Sequence, residues 1–430
     1  MKTVVLLAPY FAPSSMPPAL RMGLFARHLP EFGWHPIVLT TEPAFLEGPA
    51  DPLNQRLVPE GVEIIRARAL PATLTRRMGF SDLSIRSLPF QWSALASLCK
   101  RQRPDLVLIS VPPNVTMTLG RLAFHRFRIP YVVDYQDPWV IEDYRRMPKR
   151  QRPPKWAFAY ALSRLLEPFA IKHVSHITGV SKGTTDSVIA RYGQLTEEDA
   201  TEIPFGAEPA EFDYLRANPR PNPIFARTDG LFHLSYVGVC IPAMHETVKA
   251  VFRAVRLGLD REPELFAPVR IHFIGTTYAS GSGQPQVLPL AAEAGLVDVV
   301  TEHPERIGYL DALQVLLDSD GLLLFGSNAP HYTASKVFPS ILSRRPILAV
   351  FHKSSSVVKI LRDTRAGAVA CFDEEHPPST RIETIYDHLA SMVAPSRMEP
   401  ATDWNAMEQY TARAMTGRLA RVLDRATTAR

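Results

Sequence analysis

Two hydrophobic patterns alternate along the chain of 430 residues. Short, nearly continuous apolar runs of strand length recur at 3–8, 36–40, 62–66, 105–109, 131–134 and 176–180. Between them lie stretches with helical spacing of apolar residues, as at Leu20, Leu24 and Leu29, and Gly33 reads as a helix stop. A strand that needs no polar alternation is covered on both faces, so this order predicts a parallel, doubly wound sheet between two layers of helices. The pattern lapses over 208–230, where Pro209, Pro219, Pro221 and Pro223 read as an interdomain connection. It then resumes, with strands expected at 232–237, 269–274, 321–325, 346–350 and 368–372. The stretch 404–425 reads as one amphipathic helix able to pack back on the first domain. The expectation is therefore two α/β domains, 1–207 with 404–430, and 208–403, facing a central cleft. No repeat of 20 to 50 residues is visible.

Composition sharpens this picture in three places. Hydrophobic residues make up 46% and charged residues 21%, the balance of a globular enzyme rather than a disordered chain. The 39 prolines are many, but with only 22 glycines they punctuate elements instead of marking low complexity. Cys99, Cys240 and Cys371 have no metal-ligand spacing and form no disulfide framework. The early VVLLA run is too short for a signal peptide and reads as a buried strand, and no run is long enough to span a bilayer. These features fit a cytoplasmic protein. The net charge of +5 is uneven: residues 1–200 hold 25 Lys and Arg against 17 Asp and Glu, or +8, leaving −3 for the rest. The run from Tyr144 to Trp156 carries six basic residues among aromatic and proline positions. It suits anionic lipid head groups at the inner face of a membrane better than nucleic acid, for which no module is present.

Doubly wound sheets bind ligands outside the carboxyl ends of their strands. The loop after the first strand has no G-x-G-x-x-G, which argues against a nicotinamide dehydrogenase, and it leads to Arg21 in the next helix. Further on, Ser335 reads as an N-cap and Lys336 as the opening residue of a short helix that precedes a buried strand. A lysine in a first helical turn opposes the helix dipole unless an anion sits there, so this segment points to phosphate. Asp318-Ser319-Asp320 offers a D-x-D, but it runs straight into an apolar strand and reads as structural.

Several segments, in order, resemble the GT-B glycosyltransferases of group 1, also called glycosyltransferase family 4. They are the stretch from Leu29 to Thr40, Asp134-Tyr135-Gln136-Asp137-Pro138-Trp139, Val180-Ser181-Lys182-Gly183, and Ile203-Pro204-Phe205-Gly206-Ala207-Glu208. In the second half they are Tyr236-Val237-Gly238, Phe273-Ile274-Gly275, and Ser335-Lys336-Val337-Phe338 followed by Arg345-Pro346-Ile347-Leu348. The resemblance implies two Rossmann-like domains and transfer of a sugar from a nucleotide-diphosphate sugar to an acceptor hydroxyl, with retention and without a metal or other cofactor. It places the donor against Lys336, Ser335, Gly238, Gly275, His331, Tyr332 and Arg306, with Tyr309 near the base. It places the acceptor near Arg21, Asp134 and Trp139, with Asp137 as the candidate catalytic carboxylate. The setting it suggests is cell-surface polysaccharide or glycolipid assembly.

The sequence also departs from that family. Val239-Cys240-Ile241-Pro242 follow Gly238 where basic residues are common, leaving His245 and Lys249 as substitutes. Pro339 replaces the glutamate that clasps the donor ribose, and no histidine occurs in Ser110-Val111-Pro112-Pro113-Asn114. A catalytically degenerate relative that binds a glycan or a partner transferase is the alternative expectation. An epimerase acting on the donor alone fits the Asp134 to Trp139 segment less well.

Overall fold

A computed structural model describes the chain apart from residues 49, 79, 143–144, 146–147, 153–154, 278–282, 328–333, 397–398 and 429–430, and the side chains of 53, 56, 57 and 151. Two compact units make up the molecule: Met1–Phe205 with Ala412–Arg430, and Gly206–Thr411.

The first unit is built on seven parallel strands: β1 (Lys2–Leu7), β2 (Trp34–Thr41), β3 (Glu63–Ala67), β4 (Leu106–Val111), β5 (Tyr131–Tyr135), β6 (His176–Gly179) and β7 (Ala200–Glu202). Their order is β3-β2-β1-β4-β5-β6-β7, so the winding reverses between β1 and β4. Alternate residues of each apolar run face opposite layers. Val5, Leu7, Val107, Ile109 and Val133 pack on one side. Val4, Leu6, Leu106, Leu108 and Val132 pack on the other, together with Met415, Leu419 and Leu423 of the final helix. Helix Pro17–His28 starts on prolines whose missing N–H groups cost nothing at that position. A 3-10 turn prolongs it to Gly33, whose φ of +80° lets its N–H reach back to Leu29 and Pro30.

The second unit repeats the plan with six parallel strands: β8 (Phe232–Val237), β9 (Val269–Ile274), β10 (Val300–His303), β11 (Gly321–Phe325), β12 (Ile347–His352) and β13 (Ala368–Phe372). Their order is β10-β9-β8-β11-β12-β13, with the reversal between β8 and β11. Helix His245–Arg261 lays Val248, Val251, Phe252 and Val255 onto this sheet.

Two expectations change. Residues 208–230 are not a connector: helix Pro209–Ala217 forms there, and Phe225 stacks 4.0 Å from the His233 ring and 4.9 Å from that of His272. The prolines bend this segment along the second unit instead of freeing it. The stretch 404–425 is not one helix either. Helix Trp404–Glu408 lies in the second unit, and helix Ala412–Thr428 begins only after the chain has bridged Thr411 to Ala207.

Candidate functional site

In the second unit, four of the residues expected at the donor meet beyond the carboxyl ends of β8 and β9. Gly238 follows β8 directly and donates its N–H to Ile274 O at 2.7 Å, while Gly275 follows β9 and donates to His303 O at 2.8 Å. Both have left-handed backbones, with φ of +133° and +71°. A Cβ at Gly238 would fall on Cε and Nζ of Lys336, so a side chain there would push the lysine aside. At Gly275 the conformation alone demands glycine, since a Cβ would make only ordinary contact with Arg306 Cγ.

Lys336 therefore folds over Gly238. Its Nζ donates to Tyr236 Oη at 2.6 Å and to Val239 O at 3.2 Å, and it stands 4.4 Å from the centre of the Tyr236 ring. The Tyr236 hydroxyl in turn donates to Val239 O at 2.7 Å. Every one of these oxygens is neutral. Burial pushes the lysine down to about 7, with Cys240 working against the shift and the nearby Arg306 guanidinium adding to it. Arg306 itself is exposed. A half-buried ammonium with only neutral partners, beside a second cation, is a place where an anion gains more than it would in water.

The reason Lys336 sits here differs from the expected one. Ser335 does not cap a helix; it is exposed, and Lys336 itself enters the six-residue helix Val337–Leu342 without a side-chain cap. Packing over Tyr236, not a helix dipole, sets the lysine. The Tyr236 contribution was invisible in the sequence because its position looked like any buried strand residue.

Other donor-side expectations divide. His331 and Tyr332 lie outside the described residues. Tyr309 Oη donates to Glu211 Oε2 at 2.7 Å, which ties it to helix Pro209–Ala217. Lys249 pairs with Glu293 at 3.1 Å. His245 opens helix His245–Arg261, and burial, with Lys249, lowers it below the usual imidazole range. Its buried Nε2 finds no hydrogen-bond partner among the described residues. Asp318 and Asp320 sit at the opposite, amino end of the sheet, where Asp318 accepts from Gln314 Nε2 at 3.1 Å and Asp320 from His233 N at 3.0 Å.

In the first unit, Arg21 and Asp134 meet each other. Arg21 Nε and Nη2 donate to the two oxygens of Asp134 at 2.7 and 2.9 Å, Nη2 also to Ile203 O at 2.7 Å, and Nη1 to Pro204 O at 3.1 Å. Thr178 Oγ1 adds a third donor to Asp134 at 2.6 Å, and both charged side chains are fully buried. They were expected to face the acceptor; the structure makes them a closed ion pair joining helix Pro17–His28 to β5 and to the segment after β7. Trp139, also expected on the acceptor side, is half-buried and packs against the Val133 face of the core.

Asp137 is exposed, yet the protein around its carboxyl raises it above the usual aspartate range by desolvation. Beside it in sequence, buried Gln136 donates Nε2 to Ser110 Oγ at 3.2 Å, while its Oε1 has no partner among the described residues. Asn114 Oδ1 and Thr116 Oγ1, just past β4, are unpaired in the same way. These acceptors at the carboxyl ends of neighbouring strands were missed in the sequence, which offers no signal for an unsatisfied amide.

Residues 18–206 match the family model described as a glycosyl transferase 4-like domain. No curated protein matches the sequence. Among solved structures the whole chain is similar to a glycosyltransferase from Rickettsia africae, with a TM-score of 0.60, 10% identity and coverage of 100% of this chain and 99% of that one. It is similar to an Anabaena protein, HepE, in complex with UDP-glucose (TM-score 0.57, 13% identity, 99% and 100% covered). It is also similar to a UDP-forming α,α-trehalose-phosphate synthase from Burkholderia xenovorans bound to glucose-6-phosphate (TM-score 0.62, 11% identity, 99% and 100% covered). The whole-chain likeness shows the two-domain GT-B fold, and residues 18–206 are similar to a glycosyl transferase 4-like domain.

Proposed function

We propose that the protein transfers a sugar from a nucleotide-diphosphate sugar to an acceptor hydroxyl, with retention, in the assembly of a surface polysaccharide or glycolipid. The observation that carries the donor half is Lys336, a half-buried cation whose partners are all neutral. As the sugar–phosphate bond breaks, negative charge grows on the leaving diphosphate. A preplaced ammonium, with Arg306 beside it and the backbone opened at Gly238 and Gly275, stabilises that charge without a metal ion. The half-titrated state of Lys336 suits this role, since an arriving diphosphate draws the proton onto the nitrogen. On the first unit, Asp137, whose carboxyl its surroundings raise above the usual aspartate range, is the polar group on the acceptor side.

In this reading the acceptor is lipid-linked, and the basic residues of the 144–156 run touch anionic head groups. Among the described residues no helix is long and apolar enough to cross a membrane. Incubation with UDP-, GDP- and dTDP-sugars is expected to give donor hydrolysis and a rise in melting temperature with one of them; silence with all three would sink the proposal. Proton NMR of the product reports retention or inversion.

A second reading has its own observation. Pro339 stands where the resemblance expects a ribose-binding glutamate, and the ammonium of Lys336 is already engaged by Tyr236 and Val239. A protein that binds a glycan or a partner transferase without turnover would bind no nucleotide, and Lys336→Ala would leave its biological activity intact.

A further inference from the structure

Helix Trp156–Ile171 is inside out. The side it turns inward holds Ser163 and Glu167 with Ala170 and Ile171, while Phe158 is 66% exposed, Leu165 70% and Phe169 42%. The inward glutamate is no accident of packing: its carboxylate accepts from Tyr135 Oη at 3.1 Å, Tyr192 Oη at 2.7 Å and Arg191 Nη2 at 3.3 Å. The exposed residues recur at helical spacing, Phe158, Ala161, Leu165 and Phe169, so they form one stripe. Leu122, 36% exposed, lies on helix Met117–Phe127, which packs alongside.

The stripe is framed by positive charge. Lys149, Arg150 and Lys155 are exposed before the helix, Arg164 on it and Lys172 after it; Arg126 and Arg128 are exposed on and beside the neighbouring helix. The Arg121 guanidinium stands 5.9 Å from the Phe169 ring. Of the acidic groups nearby, Glu167 is buried and Glu142 faces Tyr160, Arg145 and Arg164. An apolar helical stripe with a basic rim is the arrangement of a helix that lies in the head-group layer.

We propose that helix Trp156–Ile171 seats the first unit on an anionic phospholipid bilayer, with Phe158, Leu165 and Phe169 entering the acyl boundary and the basic rim facing lipid phosphates. This deepens the membrane part of the function proposed above: the apolar stripe lies beyond the 144–156 run, which lends its rim only Lys149, Arg150 and Lys155, and it is independent of the donor reading.

Sedimentation of the full chain with vesicles tests it. The protein is expected to pellet with phosphatidylcholine vesicles containing phosphatidylglycerol, not with phosphatidylcholine alone, and to be released by salt. Leu165→Ser with Phe169→Ser should weaken binding at least tenfold, by removing two buried apolar side chains, with the melting curve and donor hydrolysis unchanged. Lys172→Glu should weaken it by about fivefold or more. Unchanged pelleting of the double serine variant, or loss of binding only when the 144–156 charges are removed, would overturn the proposal. So would a parent chain that sediments as a dimer by analytical ultracentrifugation while the serine variant is a monomer, because the stripe would then be covered by a second copy. Failure of donor turnover alone touches only the catalytic reading.

Discussion

Arg21, fully buried, and Lys336, half-buried, are cations near the winding reversal of a parallel sheet, one in each unit, and they are completed differently. Arg21 meets a full carboxylate, two carbonyls and the faces of Phe25 and Phe205. Nothing remains for a ligand to add. Lys336 meets a phenol, a carbonyl and a ring, none of them charged. A buried cation compensated in full is architecture; one compensated only by dipoles stays responsive to whatever anion arrives.

That contrast can be broken experimentally. The largest effect is expected from Arg21→Ala, which strands the buried Asp134 carboxylate and should cost about 3–5 kcal/mol of stability. Differential scanning calorimetry should show the first unit melting far earlier, with any loss of activity following the loss of fold. For Lys336→Ala the order reverses: donor turnover should fall by about 10²–10³ while the melting temperature barely moves. Gly238→Ala should reproduce that loss by displacing the lysine, and the double variant should be no worse than either single one, a non-additivity that kinetics can measure.

A smaller effect follows from protonation. Lys336 lets go of its proton near pH 7 in the folded chain, against 10.5 when unfolded. Donor affinity should therefore decline as pH rises above 7, by up to about tenfold per unit, and Lys336→Arg should flatten the profile because guanidinium does not titrate there. The unfolded state binds the extra proton between these two values, so stability should rise as pH climbs from 7 towards 10.5, and the arginine variant should lose that slope in denaturant titrations. The smallest effect is none: EDTA should leave turnover unchanged under the proposed metal-free mechanism.

The sequence shows what burial on both faces makes conspicuous. Gly321–Phe325 is legible because it holds no polar side chain, and Phe232–Val237 and Val269–Ile274 because four of their six positions are apolar. The edge strands Ala200–Glu202 and Val300–His303 are short and mostly polar, and leave no such trace. Pro209 opens a helix rather than ending one, and its partners Phe212 and Leu215 were masked by the prolines that follow. At the candidate site, ordered motifs locate Lys336, Gly238, Gly275 and Arg306. Contacts between distant positions escape such reading. Arg21 and Asp134 are 113 residues apart and the phenol of Tyr236 is 100 residues from its lysine; neither pairing obeys a local spacing.

Helix Ala412–Thr428 gives the first unit Met415, Leu419 and Leu423, with Met22, Phe25 and Leu29 in the same cluster. On the ribosome that helix emerges after the whole of Gly206–Thr411. At roughly 5–20 residues per second, the early unit waits on the order of 10–40 s with one side of its sheet only partly covered, long enough for a chaperone to engage it. Release of the last helix, not completion of the seventh strand, is the step that closes its core.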